Sequence, residues 1–183
     1  MNTSLPPPGN IVLIGFMACG KSTLGRELHH RLGYPLMDMD QIIEARTGKT
    51  IAAIFTDDGE PAFRDMETTL LRELYDPSAP RRIISTGGGV VGRAENRSLI
   101  KSLGYVVWLD APASVILDRT RKHHHRPLLN TQDATTKILT LMEHRRPLYQ
   151  ECAHLKLDTT GLGYVDLATG ILECSRYFFN NHA

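Results

Sequence analysis

Short, largely apolar runs recur along the chain at residues 10–14, 34–37, 82–85, 105–109 and 154–157. Each reads as a buried strand. Between them the apolar positions take helical spacing, near 21–32, 40–47, 60–75, 93–102, 113–121, 134–150 and 164–178. Within 60–75, Phe63, Met66, Leu70 and Leu74 form one stripe. Strands alternating with helices predict βαβ units and a parallel sheet buried on both faces, an α/β fold. In such sheets ligands sit at the carboxyl ends of the strands. The polar residues gather at those ends: Asp38 and Asp40 after the second run, Gly87, Gly88 and Gly89 after the third, Asp110 after the fourth, Asp158 and Thr159 after the fifth.

The first strand leads into residues 15–22, GFMACGKS, and then into a helical pattern. Strand, Gly-bounded loop and helix N-terminus in that order make a P-loop, a cradle of backbone N–H groups for phosphate. Lys21 is expected to reach the β- and γ-phosphates and Ser22 to hold Mg²⁺. The chain thus reads as a user of a nucleoside triphosphate.

Composition narrows the setting. The 183 residues suit one domain. A net charge of +1 gives no sign of nucleic-acid binding, and no apolar stretch approaches the roughly 20 residues that span a bilayer. Residues 1–10 carry three consecutive prolines and read as a disordered tail before a single domain over 11–183. Cys19, Cys152 and Cys174 have no CxxC spacing, which fits free thiols and a cytoplasmic setting. Residues 119–133 hold Arg119, Arg121, Lys122, His123, His124, His125 and Arg126, and read as a cationic lid between two helices.

Several clusters carry candidate chemistry. Asp38 and Asp40, two apart on an extended chain, are expected to point the same way, with Met37 and Met39 opposite. One acid can serve Mg²⁺ and the other a substrate hydroxyl; the plainer alternative has Asp40 only capping a helix. Arg64 and Glu67 are adjacent on a helix flank, and spacing alone favours a surface ion pair over a ligand clamp. Gly87, Gly88 and Gly89 allow a ligand to approach the backbone. Arg145 and Arg146 either complement a helix C-terminus before Pro147 or reach an anionic substrate. Asp110 competes with Asp38 for a metal role and reads as a strand-end or capping acid. Consecutive histidines share no face, so His123–His125 read as solvated rather than metal-binding.

Together these motifs resemble the shikimate kinase family, small P-loop kinases with a three-layer fold of five parallel strands and a mobile lid. The matching stretches are GFMACGKSTLG (15–25), the D-x-D of 38–40, GEPAFRDME (59–67), STGGGV (85–90), RPLL (126–129) and RRPLY (145–149). The resemblance implies transfer of the ATP γ-phosphoryl group to the 3-hydroxyl of shikimate, with Mg²⁺, in a cytoplasmic monomer. It implies that Ala18, Cys19, Gly20, Lys21, Ser22 and Thr23 cradle phosphate, that Arg119 lies by the adenine and that Arg126 closes onto the phosphates. Ser22 and Asp38 would serve the metal. Asp40 would bind the shikimate hydroxyls, Arg64 and Arg145 its carboxylate, and Gly88, with Gly87 and Gly89 beside it, would contact shikimate through the backbone. On this basis Lys21, Asp40 and Arg126 are the candidate catalytic residues. Arg64 and Arg145 change from structural to substrate-binding assignments.

Ala18 and Cys19 stand where the family often has Gly and Ala or Gly. A thiol at a helix N-terminus is expected to be the most reactive of the three and to be protected by ATP, with burial of Cys19 as the competing outcome. A sugar-acid kinase and a non-catalytic nucleotide-binding module remain the competing readings. A guanine-specific switch is disfavoured, since no N-K-x-D is present.

Overall fold

The structure is a computed structural model that describes residues 9–121 and 134–181. Strands β1 (Asn10–Ile14), β2 (Leu36–Asp38), β3 (Ile83–Ser85), β4 (Gly104–Asp110) and β5 (Leu155–Asp158) form one sheet in the order β2-β3-β1-β4-β5. All pairings are parallel: Val12 lies between Ile84 and Val106, Met37 beside Ile84, and Leu109 beside Leu157. Ile11, Val12, Leu13 and Ile14 point alternately to the two faces, yet none is more than 2% exposed. Both faces of the sheet are therefore covered, as the continuous apolar runs predict. Edge strand β5 alternates half-buried and exposed positions, since successive side chains point to opposite faces and only one face is covered.

Helices α1 (Lys21–Leu32) and α8 (Tyr164–Asn181) pack on each other, α1 over β2 and β3 and α8 over β4. Helices α4 (Gly59–Leu74), α5 (Ala94–Leu103) and α7 (Ala134–Cys152) form a second packed group that reaches β1 and β4. Helix α2 (Met39–Thr47) starts at an Asp38 cap and ends at Gly48 in the left-handed region. Helix α3 (Ile51–Asp57) was not expected. It buries only Ile54, so it leaves no periodic trace in the sequence, although Thr50 caps it by accepting from the Ala53 N–H at 3.2 Å. Helix α6 (Ala113–Arg121) precedes the segment that the structure leaves undescribed.

Two expectations shift at the chain's boundaries. Asn10 belongs to β1 rather than to a tail: its side-chain amide donates to Leu103 O at 2.8 Å and accepts from the Arg82 N–H at 2.9 Å. Of the lid expected over 119–133, residues 119–121 are the last three of α6, and Arg126 and His123–His125 lie outside the described residues. Among the described residues no helix is long and apolar enough to cross a membrane.

Candidate active site

Since all strands run the same way, β1, β2 and β3 deliver their following residues to one edge of the sheet. After β1 the chain turns through the P-loop. Gly15 has φ +141°, and a Cβ there would meet Leu109 O at 2.3 Å, so only glycine fits. Ala18 has φ +60°, the sole non-glycine residue in the left-handed region among those described. That conformation costs an L-residue about 1 kcal/mol or more, and it explains why glycine suits this position. The loop closes around Lys21, whose Nζ donates to Gly15 O at 2.8 Å and Phe16 O at 2.9 Å. The amine is thereby aimed into the loop and not at solvent.

The acids after β2 are not on an extended chain. Asp38 ends the strand and caps α2, its Oδ1 accepting from the Gln41 N–H at 3.5 Å, while Asp40 lies in the helix's first turn. Asp38, not Asp40, is therefore the cap, and Met39 is fully buried on the helix instead of opposing the acids across a strand. The other Asp38 oxygen, Oδ2, accepts from Ser22 Oγ at 2.9 Å. A hydroxyl and a carboxylate side by side at the mouth of a phosphate loop are the hard oxygen donors that Mg²⁺ prefers.

A cavity of about 480 Å³ opens here. Ala18, Gly20, Lys21, Ser22 and Thr23 line it from the loop and α1, Asp38 and Asp40 from the β2 end, Gly88 from the β3 end, and Arg119 from α6. Sequence reasoning missed Arg26, Ser85, Thr86, Thr120 and Tyr164, which share this wall. Ser85 and Thr86 sat inside a quoted motif, whereas nothing in the sequence marks Tyr164. Its ring covers Gly20, where an added Cβ would lie 2.7 Å from the phenol oxygen. Arg119 donates to Ala18 O at 3.2 Å and Thr159 O at 3.4 Å, tying α6 to the loop.

Arg64, Arg145, Gly87 and Gly89 do not line this cavity; they surround its Gly88–Asp40 end. Glu67 is the hub. It is wholly buried, not a surface residue as spacing suggested. Its Oε2 accepts from Arg64 Nη1 at 2.6 Å, and Arg64 also contacts Glu60 at 2.7 Å. The guanidinium stacks over Phe55 and Phe63 at 5.8 and 5.2 Å. A Cβ on Gly89 would sit 2.3 Å from that guanidinium, and one on Gly87 would sit 2.4 Å from Glu67 Oε1 and 3.1 Å from Asp40 Oδ1. The glycines thus let these charged groups pack directly against the backbone. Burial pushes the Glu67 carboxyl above its ordinary range; Arg64 pulls it down, Asp40 pushes it further up, and Arg145 pulls it down. Burial disfavours the Arg64 charge, but Glu67 and then Glu60 outweigh it. The pair is asymmetric because Glu67 is the more deeply buried partner. Among the described residues, Glu67 Oε1 has no hydrogen-bond partner.

Arg145 is not at a helix end. Helix α7 runs through Pro147 to Cys152, held by buried Ile138, Met142, Tyr149 and Cys152 along one side. Arg145 Nη1 donates to Gly88 O at 3.2 Å and its guanidinium lies 5.7 Å from the Phe16 ring centroid. Two guanidinia therefore border one glycine run. Arg146 instead pairs with Asp110 at 3.4 Å, and Lys156 pairs with the same acid at 3.1 Å, so Asp110 is a strand-end acid, the last residue of β4, that serves as an ion-pair partner.

Cys19 departs from expectation. Its side chain is fully buried, with Sγ 3.7 Å from Lys21 Nζ, and it does not line the cavity. Cys152 is also buried, which pushes its thiol up to about 11, whereas Cys174 is exposed. In the native protein Cys174 is expected to alkylate first, with Cys19 and Cys152 at least about tenfold slower because they wait on local opening. Peptide mass spectrometry after timed iodoacetamide treatment checks this, and fastest labelling at Cys19 would contradict it.

The chain is similar throughout to known kinases. The Shikimate kinase family model matches residues 17–175. A shikimate kinase of Symbiobacterium thermophilum is 39% identical over 166 residues, covering 90% of this chain and 94% of the relative. One from Burkholderia thailandensis is 44% identical over 153 residues, covering 84% and 82%. The solved structure of the Acinetobacter baumannii shikimate kinase in complex with shikimate superimposes with a TM-score of 0.84 at 41% identity, covering 93% of each chain. With the family model spanning most of its length and relatives this similar over nearly all of it, the chain belongs to the shikimate kinase family.

Proposed function

We propose that this protein transfers the γ-phosphoryl group of ATP to the 3-hydroxyl of shikimate, giving shikimate 3-phosphate and ADP. The observation that carries the reading is the phosphate loop around Lys21 at one end of a cavity whose other end is bordered by Asp40, the glycine run and two guanidinia. Phosphoryl transfer depends on in-line positioning and charge neutralisation. Lys21 meets the phosphate charge. Arg64 and Arg145 take the acceptor's carboxylate, a task that paired guanidinia perform with charge-assisted hydrogen bonds. Asp40 accepts a hydrogen bond from the attacking hydroxyl and takes up its proton. Gly88 gives the acceptor a backbone wall, with Gly87 and Gly89 beside it. Ala18, Gly20, Ser22 and Thr23 cradle the phosphates; Cys19 supports the loop from behind, and Arg119 borders the base. Arg126, outside the described residues, is carried over from the family pattern as the lid arginine on the phosphates.

Ser22 and Asp38 fit a Mg²⁺ site. When bound with the nucleotide, the ion would neutralise phosphate charge as the bond to the leaving group breaks. Free thiols support a cytoplasmic setting, and the near-zero net charge supports small-molecule partners over nucleic acid. A monomer completes the reading, and light scattering in solution measures it.

A coupled assay that follows ADP release is expected to give Mg²⁺-dependent turnover with ATP and shikimate, and none with gluconate or a nucleoside monophosphate. Turnover with gluconate instead would establish the sugar-acid alternative. Nucleotide binding without transfer would establish a non-catalytic module.

A further inference from the structure

The carbonyl of Gly88 accepts two donors from α7, Arg145 Nη1 at 3.2 Å and the Tyr149 hydroxyl. A carbonyl oxygen has two lone pairs, so these donors saturate it. Residues four apart on a helix share a face, which is why both reach one atom. Gly88 is also wedged against the phosphate loop: a Cβ there would lie 3.0 Å from Met17 N and 3.4 Å from Gly15 O. It therefore touches both halves of the cavity. Tyr149 is only 2% exposed, and its ring stacks on Trp108 with centroids 5.8 Å apart. Burial raises its phenol well above the ordinary range, so the hydroxyl keeps its proton and stays a donor.

Arg145 has a competing task. A guanidinium that turns towards a carboxylate weakens its bond to Gly88, and the half-buried carbonyl then loses one of its two donors. The Tyr149 hydroxyl removes that conflict, since it holds the carbonyl whichever way Arg145 points.

We propose that Tyr149 is a positioning residue of the acceptor site: its hydroxyl pins Gly88 against the phosphate loop and releases Arg145 for the acceptor's carboxylate. The proposal rests on the kinase reading above, in which Arg145 binds a carboxylate. Tyr149→Phe tests it, because the ring and its stack on Trp108 remain while only the hydroxyl is lost. The KM for shikimate is expected to rise about fivefold, the worth of one such bond, while the KM for ATP stays within about twofold. Amide hydrogen exchange should quicken over residues 86–92 and stay unchanged elsewhere. An unchanged shikimate KM, or both KM values rising together with a general loss of protection, would overturn the proposal. If the unmodified protein does not phosphorylate shikimate, the kinase reading fails, and exchange over 86–92 in the variant still decides whether Tyr149 pins Gly88.

Discussion

Replacing Lys21 with alanine is expected to lower kcat by about 10²–10³-fold while the protein stays folded. The size follows from removing one preorganised charge aimed at a transferring phosphoryl group, worth about 3–4 kcal/mol in comparable sites. Preorganisation is visible in the loop: two carbonyls, Gly15 O and Phe16 O, hold the amine at 2.8 and 2.9 Å. The charge is therefore held inside the loop before the nucleotide arrives. Lys21→Arg should recover little, because a planar guanidinium cannot replace a compact ammonium between two carbonyls. The KM for ATP should rise as well, because the loop loses the side chain it folds around. Steady-state kinetics with thermal unfolding of each variant checks this. A fall in kcat of less than about tenfold, with the fold intact, would remove Lys21 from the chemistry.

The sheet and the phosphate loop were legible because they rest on local rules. Apolar runs mark β1 and β4, and the loop's glycines mark places where a Cβ cannot fit, as at Gly15 against Leu109 O. That Asp38 and not Asp40 caps α2 was not legible, since whether the chain is extended or helical at Met39 decides it. Glu67 was misread for a deeper reason. Its charge and its spacing from Arg64 describe an ordinary helix surface. Only the packing of α4 beside the glycine run after β3 buries it, and that convergence is a property of the topology. Cys19 repeats the lesson: a position at the helix N-terminus suggested reactivity, but the loop turns the thiol inward beside Lys21. Helix α3 escaped notice because one buried residue, Ile54, makes no pattern.

The second large effect is expected from Arg64→Ala, and it has two separable parts. On the proposed reading, loss of one of two guanidinia raises the KM for shikimate about a hundredfold, roughly 3 kcal/mol, and leaves the KM for ATP nearly unchanged. The other part concerns stability. Glu67 is fully buried, and Arg64 is the largest influence holding its carboxyl down against burial and Asp40. Removing one partner of a buried ion pair costs about 3–5 kcal/mol if the other stays charged. In Arg64→Ala the Glu67 carboxyl, already above its ordinary 4.5, must move further up. A carboxyl raised in the folded state favours folding most fully below its unfolded value, and that advantage disappears as pH rises through the folded value. The variant's deficit in Tm against the parent should therefore be smallest near the acid end of the accessible range and widen towards about pH 8. Arg64→Ala combined with Glu67→Gln removes the buried charge, so it should flatten the pH dependence and regain stability without restoring shikimate affinity. Parallel Tm-against-pH curves for the parent and Arg64→Ala would mean that Glu67 does not carry the charge assigned to it. Recovery of shikimate affinity in the double variant would mean that Arg64 acts only as the counter-ion of Glu67 and does not bind the acceptor.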